Sequence, residues 1–453
     1  MKTISLKPLL VLLFSATLFR SAAQPGKQDI INLHPSWSMQ SNIYEVNIRQ
    51  YTPEGTFNAF AKHIDRLKTM GVHTLWFMPI NPISQTDRKG TLGSYYAVAD
   101  YTTVNPEFGS MKDFQQMVKL IHQKGMKVLI DWVPNHTGAD HRWLAGHPDF
   151  FVKDSSGKAA MAKDWSDTRQ LDYTNQVMRD SMIAAMKFWI SNADIDGFRC
   201  DVAWNVPGDF WKECIAQLRK MKNIFMLAEG EDAYLPENGF DAVYPWRAFH
   251  VLVDIAAGKK NALALDTVQR LMGSIYPKNT MLLQFTSNHD ENSWNKADFA
   301  TMPGASHEPF AVLTQTLPGS IPLVYSGQEE PVLRPIAFFE KDPMVFGQYK
   351  RAPLYNKLLH LRTANKALAA NVPMQKLNTG NDEAVYAFYR KSGNQFVYVV
   401  VNLTGEQQYY SIDAGRVREI SGKPVKELLS GKTYHAAPSG KSRLNPWESR
   451  IYY

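Results

Sequence analysis

Short apolar runs alternate with stretches of helical periodicity along most of this chain, and no other feature limits its fold as much. Thr56 is placed to cap a helix carrying Phe57, Phe60, Ile64 and Leu67 on one face, with Gly71 to stop it. Ser110 is placed to cap another, with Phe114, Met117, Leu120 and Ile121 inside and Gly125 at its end. Between such patterns, residues 42–52, 73–79, 127–133, 195–201, 224–229, 240–244, 281–286 and 321–325 read as strands. Strands separated by helices predict a parallel sheet. About eight such units over roughly 330 residues predict an α/β chain closed into a (β/α)8 TIM barrel. A doubly wound open sheet is the competing fold, but its phosphate-binding glycine loop is absent after the first strand.

Two regions break the alternation. Residues 134–172 have no clear period and carry Trp143, Pro148, Phe150, Phe151 and Trp165. That is too long for an ordinary connection and predicts a short inserted excursion after the third strand. From residue 372 the pattern turns to strands, with 383–390 and 395–402 joined by the hairpin signal Lys391-Ser-Gly-Asn394. The expected organisation is a barrel over 24–371 and a C-terminal antiparallel β-sandwich domain over 372–453. A 44% hydrophobic and 21% charged composition supplies an ordinary globular core.

Residues 1–23 read as a signal peptide: Lys2 and Lys7, then an apolar run over 8–19, then Ser21-Ala22-Ala23 before Gln24. The expectation is a periplasmic or secreted protein with no membrane attachment after cleavage. The net charge of +7 includes Lys2, Lys7 and Arg20, which leaves +4 on the remainder. No long Lys/Arg run is present, so nucleic acid is not an expected partner. Cys200 and Cys214 read as buried free thiols.

Barrels of this kind do chemistry at the carboxyl ends of their strands. The third predicted strand runs into Asp131-Trp-Val-Pro-Asn135-His136, the fourth into Arg199-Cys-Asp201, the fifth into Ala228-Glu229-Gly230, and the seventh into Ser287-Asn288-His289-Asp290. Four strands therefore deliver acids and histidines to one rim. Arg199 and Asp201 are two residues apart and share a side of their strand, so the arginine keeps that carboxylate ionised. Glu229 follows an apolar run, and drier surroundings raise a carboxyl pKa. One ionised and one protonated carboxyl group are what glycoside hydrolysis requires.

These segments resemble the α-amylase family of retaining glycoside hydrolases and transglycosylases. The matching stretches are Asp131 to His136, Asp196-Gly-Phe-Arg-Cys-Asp201, Glu229 after Met226-Leu-Ala, and Phe285-Thr-Ser-Asn-His-Asp290. The resemblance covers nearly all of the chain after the leader. It implies that Asp201 is the nucleophile, Glu229 the general acid and then base, and Asp290 the transition-state stabiliser. Arg199 would aim Asp201, His136 and His289 would bind the reacting sugar, and Tyr96 would stack on it. Asp131 and Asp100 would be structural. The implied activity is hydrolysis of α-1,4-glucosidic bonds in starch-derived glucans or maltooligosaccharides through a covalent glycosyl-enzyme. Transglycosylation or exo-acting α-glucosidase action on the same site is the alternative.

Two positions depart from the family pattern. Many calcium-dependent members carry a Lys-His pair where this chain has Trp204 and Asn205. Asn135 matches a calcium ligand of those enzymes, so calcium-bound and calcium-free forms are both open, while the chemistry itself requires no cofactor. Exo-acting members often place Asp directly after the stacking tyrosine. Here that residue is Ala97, which predicts a cleft open past the reacting subsite and cleavage within the glucan.

Overall fold

The computed structural model describes residues 34–295, 304–413, 415, 424–435 and 439–453. The leader expected over 1–23 lies outside them. Eight parallel strands close the barrel: β1 (Ile43–Val46), β2 (Thr74–Phe77), β3 (Lys127–Trp132), β4 (Gly197–Cys200), β5 (Phe225–Ala228), β6 (Ala242–Val243), β7 (Met281–Gln284) and β8 (Ser320–Tyr325). Each pairs with its neighbours in chain order, and β8 returns to β1.

Local chemistry explains the boundaries. Ser110 and Asp113 form a reciprocal capping box at the start of helix Met111–Gln123. Thr56 caps as expected, but its pattern divides into Phe57–Ala61 and Ile64–Met70, and Gly71 at φ +98° ends the second piece. The strand expected over 42–52 is shorter. After Val46 the chain turns into a single helical turn, Ile48–Tyr51, whose side chains, Arg49 and Gln50 included, are all buried. Cys200 and Cys214 are buried and unbridged.

Strand alternation sorts the side chains into two cores. Tyr44, Val46, Phe77, Val128, Ile130, Phe198 and Met226 face the surrounding helices. Ile43, Trp76, Leu129, Leu227, Leu283 and Leu323 fill the barrel interior. A step of two residues beyond the interior leucines reaches Asp131 and Glu229. The site thus stands directly above an apolar plug.

The excursion after β3 is held by a small antiparallel pair, His136–Gly138 with Thr168–Gln170. The C-terminal region is a four-stranded antiparallel sheet, Met374–Leu377, Val385–Ser392, Gln395–Asn402 and Ser449–Tyr452, with a two-stranded sheet, Gln408–Ile412 and Gly440–Leu444. Val385, Ala387 and Val400 pack on Tyr410, Ile412 and Leu444, which makes the sandwich. Phe388, Val399 and Val401 face the barrel core. Two fully buried arginines seal that seam, with no carboxylate partner among the described residues. Arg362 donates to the carbonyls of Ser41, Gln315, Leu368 and Ser320, and Arg390 to those of Thr316 and Leu317.

Candidate active site

Arg199, on β4, is fully buried and organises the rim. Its Nη1 meets Asp131 Oδ1 at 3.0 Å and Asp201 Oδ1 at 2.9 Å, and its Nη2 meets Glu229 Oε1 at 3.0 Å. Sheet register produces this convergence. Asp131 on β3 is the direct neighbour of Arg199. Asp201 and Glu229 each stand one residue past adjacent strands whose last residues, Cys200 and Ala228, are paired. The Glu229 N–H donates to Cys200 O at 2.9 Å, which continues the ladder by one step.

One cation therefore serves three carboxylates. Burial, then the charge of Glu229, pushes Asp201 well above the usual carboxylate range, against the pull of Arg199. Burial also works to raise Glu229, but Arg199 and then the Val202 N–H, which donates to Glu229 Oε2 at 2.7 Å, outweigh it and leave it lowered. This reverses the sequence expectation, which gave Asp201 the ionised role and Glu229 the raised pKa. The guanidinium reaches both acids, and only Glu229 gains a backbone donor on its second oxygen.

A second chain of contacts fixes the residues that the resemblance expects to bind sugar. Tyr96 donates its hydroxyl to Asp131 Oδ2 at 3.1 Å and lies 2.8 Å from His289 Nε2, with its ring stacked on the imidazole. Trp76 Nε1 also donates to Asp131 Oδ2, at 3.2 Å. Asp131 is thus held by Tyr96, Trp76 and Arg199 together. His289 Nδ1 lies 2.5 Å from Glu45 Oε1, and its Nε2 lies 3.4 Å from Asp290 Oδ2. Burial disfavours a charged His289 ring, but the charges of Asp290 and then Glu45 raise its pKa to about 9. His136 is also buried, and that burial lowers its pKa to about 4, so it faces the cavity as a neutral ring beside Trp165. Sequence reasoning missed Glu45. An acid inside the buried strand β1, in phase with the interior residue Ile43, was the available signal.

Tyr96, His136, Asp201, Glu229, His289 and Asp290 all line one cavity of about 380 Å³, joined by residues from distant loops, among them Trp294, Phe338 and Phe339. Asn135 lies beneath it. Its Oδ1 accepts from Asn205 Nδ2 at 2.7 Å and Gln170 Nε2 at 3.1 Å. Two N–H donors aimed at that oxygen take the directions a cation would need. Among the described residues no group of three His, Cys, Asp or Glu is arranged to hold a metal. Asn135 and its neighbours do not fit a calcium ion. The amide of Asn205 stands in its place, and Asn135 Nδ2 lies 3.1 Å from His136 Nδ1.

The α-amylase catalytic-domain model matches residues 32–166 and 153–340, which is most of the barrel. The chain belongs to the α-amylase family. Within this family it is similar to α-amylase MalA of Haloarcula japonica, at 24% identity over 90% of this chain and 61% of that protein. It is also similar to neopullulanase 2 of Thermoactinomyces vulgaris, at 26% over 92% and 78%. Among solved structures, a noncanonic maltogenic α-amylase, AmyB, from Thermotoga neapolitana superposes with a TM-score of 0.83 at 29% identity, over 92% of this chain and 99% of that one. An α-amylase from Lactobacillus plantarum superposes with a TM-score of 0.81 at 27% identity, over 92% and 100%. The chain is accordingly a glycoside hydrolase of the α-amylase type that acts on α-glucans, although it spans only about three fifths of MalA.

Proposed function

We propose that the chain is an exported hydrolase that cleaves α-1,4-glucosidic bonds of starch-derived glucans with net retention. The observation that carries this is the pairing of Asp201 and Glu229 on the two terminal nitrogens of one guanidinium. The two carboxyl groups also interact directly with each other, which suits the short separation of about 5–5.5 Å kept by a retaining enzyme.

Asp201 attacks the anomeric carbon, and Glu229 protonates the departing oxygen. Glu229 must carry a proton to do so. A sugar seated against Tyr96 excludes water from Glu229 and weakens its contact with Arg199, and both effects raise the Glu229 pKa. Positive charge developing at the anomeric carbon favours the ionised form of Asp201. Water then attacks the glycosyl–Asp201 ester, with Glu229 as base. Asp290, beside the cationic His289, accepts hydroxyls of the same sugar.

The leader over 1–23 supports export, and no described helix is long and apolar enough to cross a membrane. Proton NMR of the first product tests the mechanism: release of the α-anomer is expected, and initial release of the β-anomer refutes it. Amino-terminal sequencing of the protein recovered outside the cytoplasm should begin at Gln24.

A further inference from the structure

We propose that the Lys89–Asp167 ion pair is an end stop for the glucan, so that the enzyme releases short saccharides from non-reducing ends. This rests on the α-glucan hydrolase reading above. The leaving group departs over Glu229, so the retained sugars extend the opposite way, past Tyr96 and Asp290. An aromatic wall runs in that direction. Phe338 stacks on Tyr96 with centroids 6.2 Å apart, Trp294 lies 5.1 Å from Phe338, and Phe339 lies 5.7 Å from Trp294.

Lys89 stands at the far end of this wall. The residues that follow it are tied to the wall by hydrogen bonds, Leu92 N–H to Phe339 O at 3.0 Å and Thr91 N–H to Glu340 Oε1 at 2.9 Å. From there Lys89 Nζ reaches Asp167 Oδ1 at 3.0 Å on the excursion after β3, and both residues line the cavity. Asp167 is 3% exposed, so its charge is held inside the cavity wall. The bridge is braced on both sides. Asp87 pairs with Arg169 at 2.8 Å, and Asp140 Oδ2 accepts the N–H groups of Gln85 and Thr86 at 2.8 Å each.

A continuing glucan needs an open path and a stacking surface. A terminal sugar instead presents hydroxyls that both donate and accept, and an ammonium beside a carboxylate meets both needs. Ala97, which stands where exo-acting members often place Asp and so predicted an open cleft, is buried and does not line the cavity. The closure comes from a different pair of residues.

Maltoheptaose tagged at its reducing end, with β-cyclodextrin as a substrate that has no ends, tests the proposal. The wild-type enzyme should release short untagged products first and open β-cyclodextrin slowly. Lys89→Met, and separately Lys89→Ala with Asp167→Ala, should lengthen the first untagged products and raise β-cyclodextrin opening at least about tenfold relative to maltoheptaose cleavage. Lys158→Ala, an exposed lysine on the same excursion outside the cavity, should keep the wild-type product pattern. Early wild-type products of all lengths, or an unchanged pattern in an active Lys89 variant, overturn the end stop and leave the hydrolase reading intact. Absence of any glucan hydrolysis by the wild-type enzyme overturns both.

Discussion

Replacing Glu45 by Gln keeps the shape of the side chain and an oxygen facing His289 Nδ1 but removes a buried charge. The folded-state pKa of His289 is raised from 6.5 to about 9, with Asp290 the larger of the two raising charges and Glu45 the other. A shift of that size corresponds to about 3 kcal/mol of stability. Because the folded pKa is the higher one, this contribution is complete below the unfolded value of 6.5 and is lost as pH rises through about 9. Glu45→Gln should lower the His289 pKa by roughly one unit, which reduces the histidine's contribution near neutral pH by about 1.4 kcal/mol. Urea unfolding followed by tryptophan fluorescence between about pH 6 and about pH 10 measures the loss through linkage. Both proteins should begin to weaken above about pH 6.5, and the loss should level off near about pH 9 in the wild type but roughly a unit lower in the variant. NMR titration of the imidazole gives the same quantity directly. If His289 in Glu45→Gln still titrates where it does in the wild type, the Glu45 charge is not what holds the ring protonated.

Three further perturbations probe the rest of the molecule. Asp201→Asn and Glu229→Gln should each lower kcat by at least about 10²–10⁴-fold while circular dichroism stays unchanged, and substantial surviving turnover would refute the site assignment. Chelator treatment should leave both activity and Tm unaltered, since the Asn135 oxygen accepts two amide N–H groups; a drop in either would show that a bound cation supports the fold or the site. Gly197→Ala would place a Cβ 1.9 Å from Phe225 O inside the barrel wall, so a loss of more than about 4 kcal/mol or failure to fold is expected, and a soluble variant of wild-type Tm would contradict the strand packing.

The strand-end residues were legible because a parallel barrel obeys a simple rule. An apolar run followed by an acid places that acid above the core, and Asp131, Asp201 and Glu229 all follow it. The rule says nothing about how a cation divides its charge among its neighbours. Arg199 was therefore credited to Asp201, when it also holds Glu229. Glu45 was hidden because residues 42–52 were read as one strand, without asking which side of it the acid faced. Trp294, Phe338, Lys89 and Asp167 come from loops with no period, and only the closed barrel brings them together. Asn135 matched a ligand position by motif, but what its oxygen faces depends on Gln170 and Asn205, which are 35 and 70 residues away.

The crowding of acids around Arg199 has a consequence for inhibition. Asp131, Asp201, Glu229 and Asp290 surround two cationic groups, Arg199 and His289, in a largely dry cavity. Such a place is electrically hungry. A basic nitrogen set into a sugar-like ring would supply the missing charge at the anomeric position. It should bind less tightly once the pH is high enough for the inhibitor to lose its own proton.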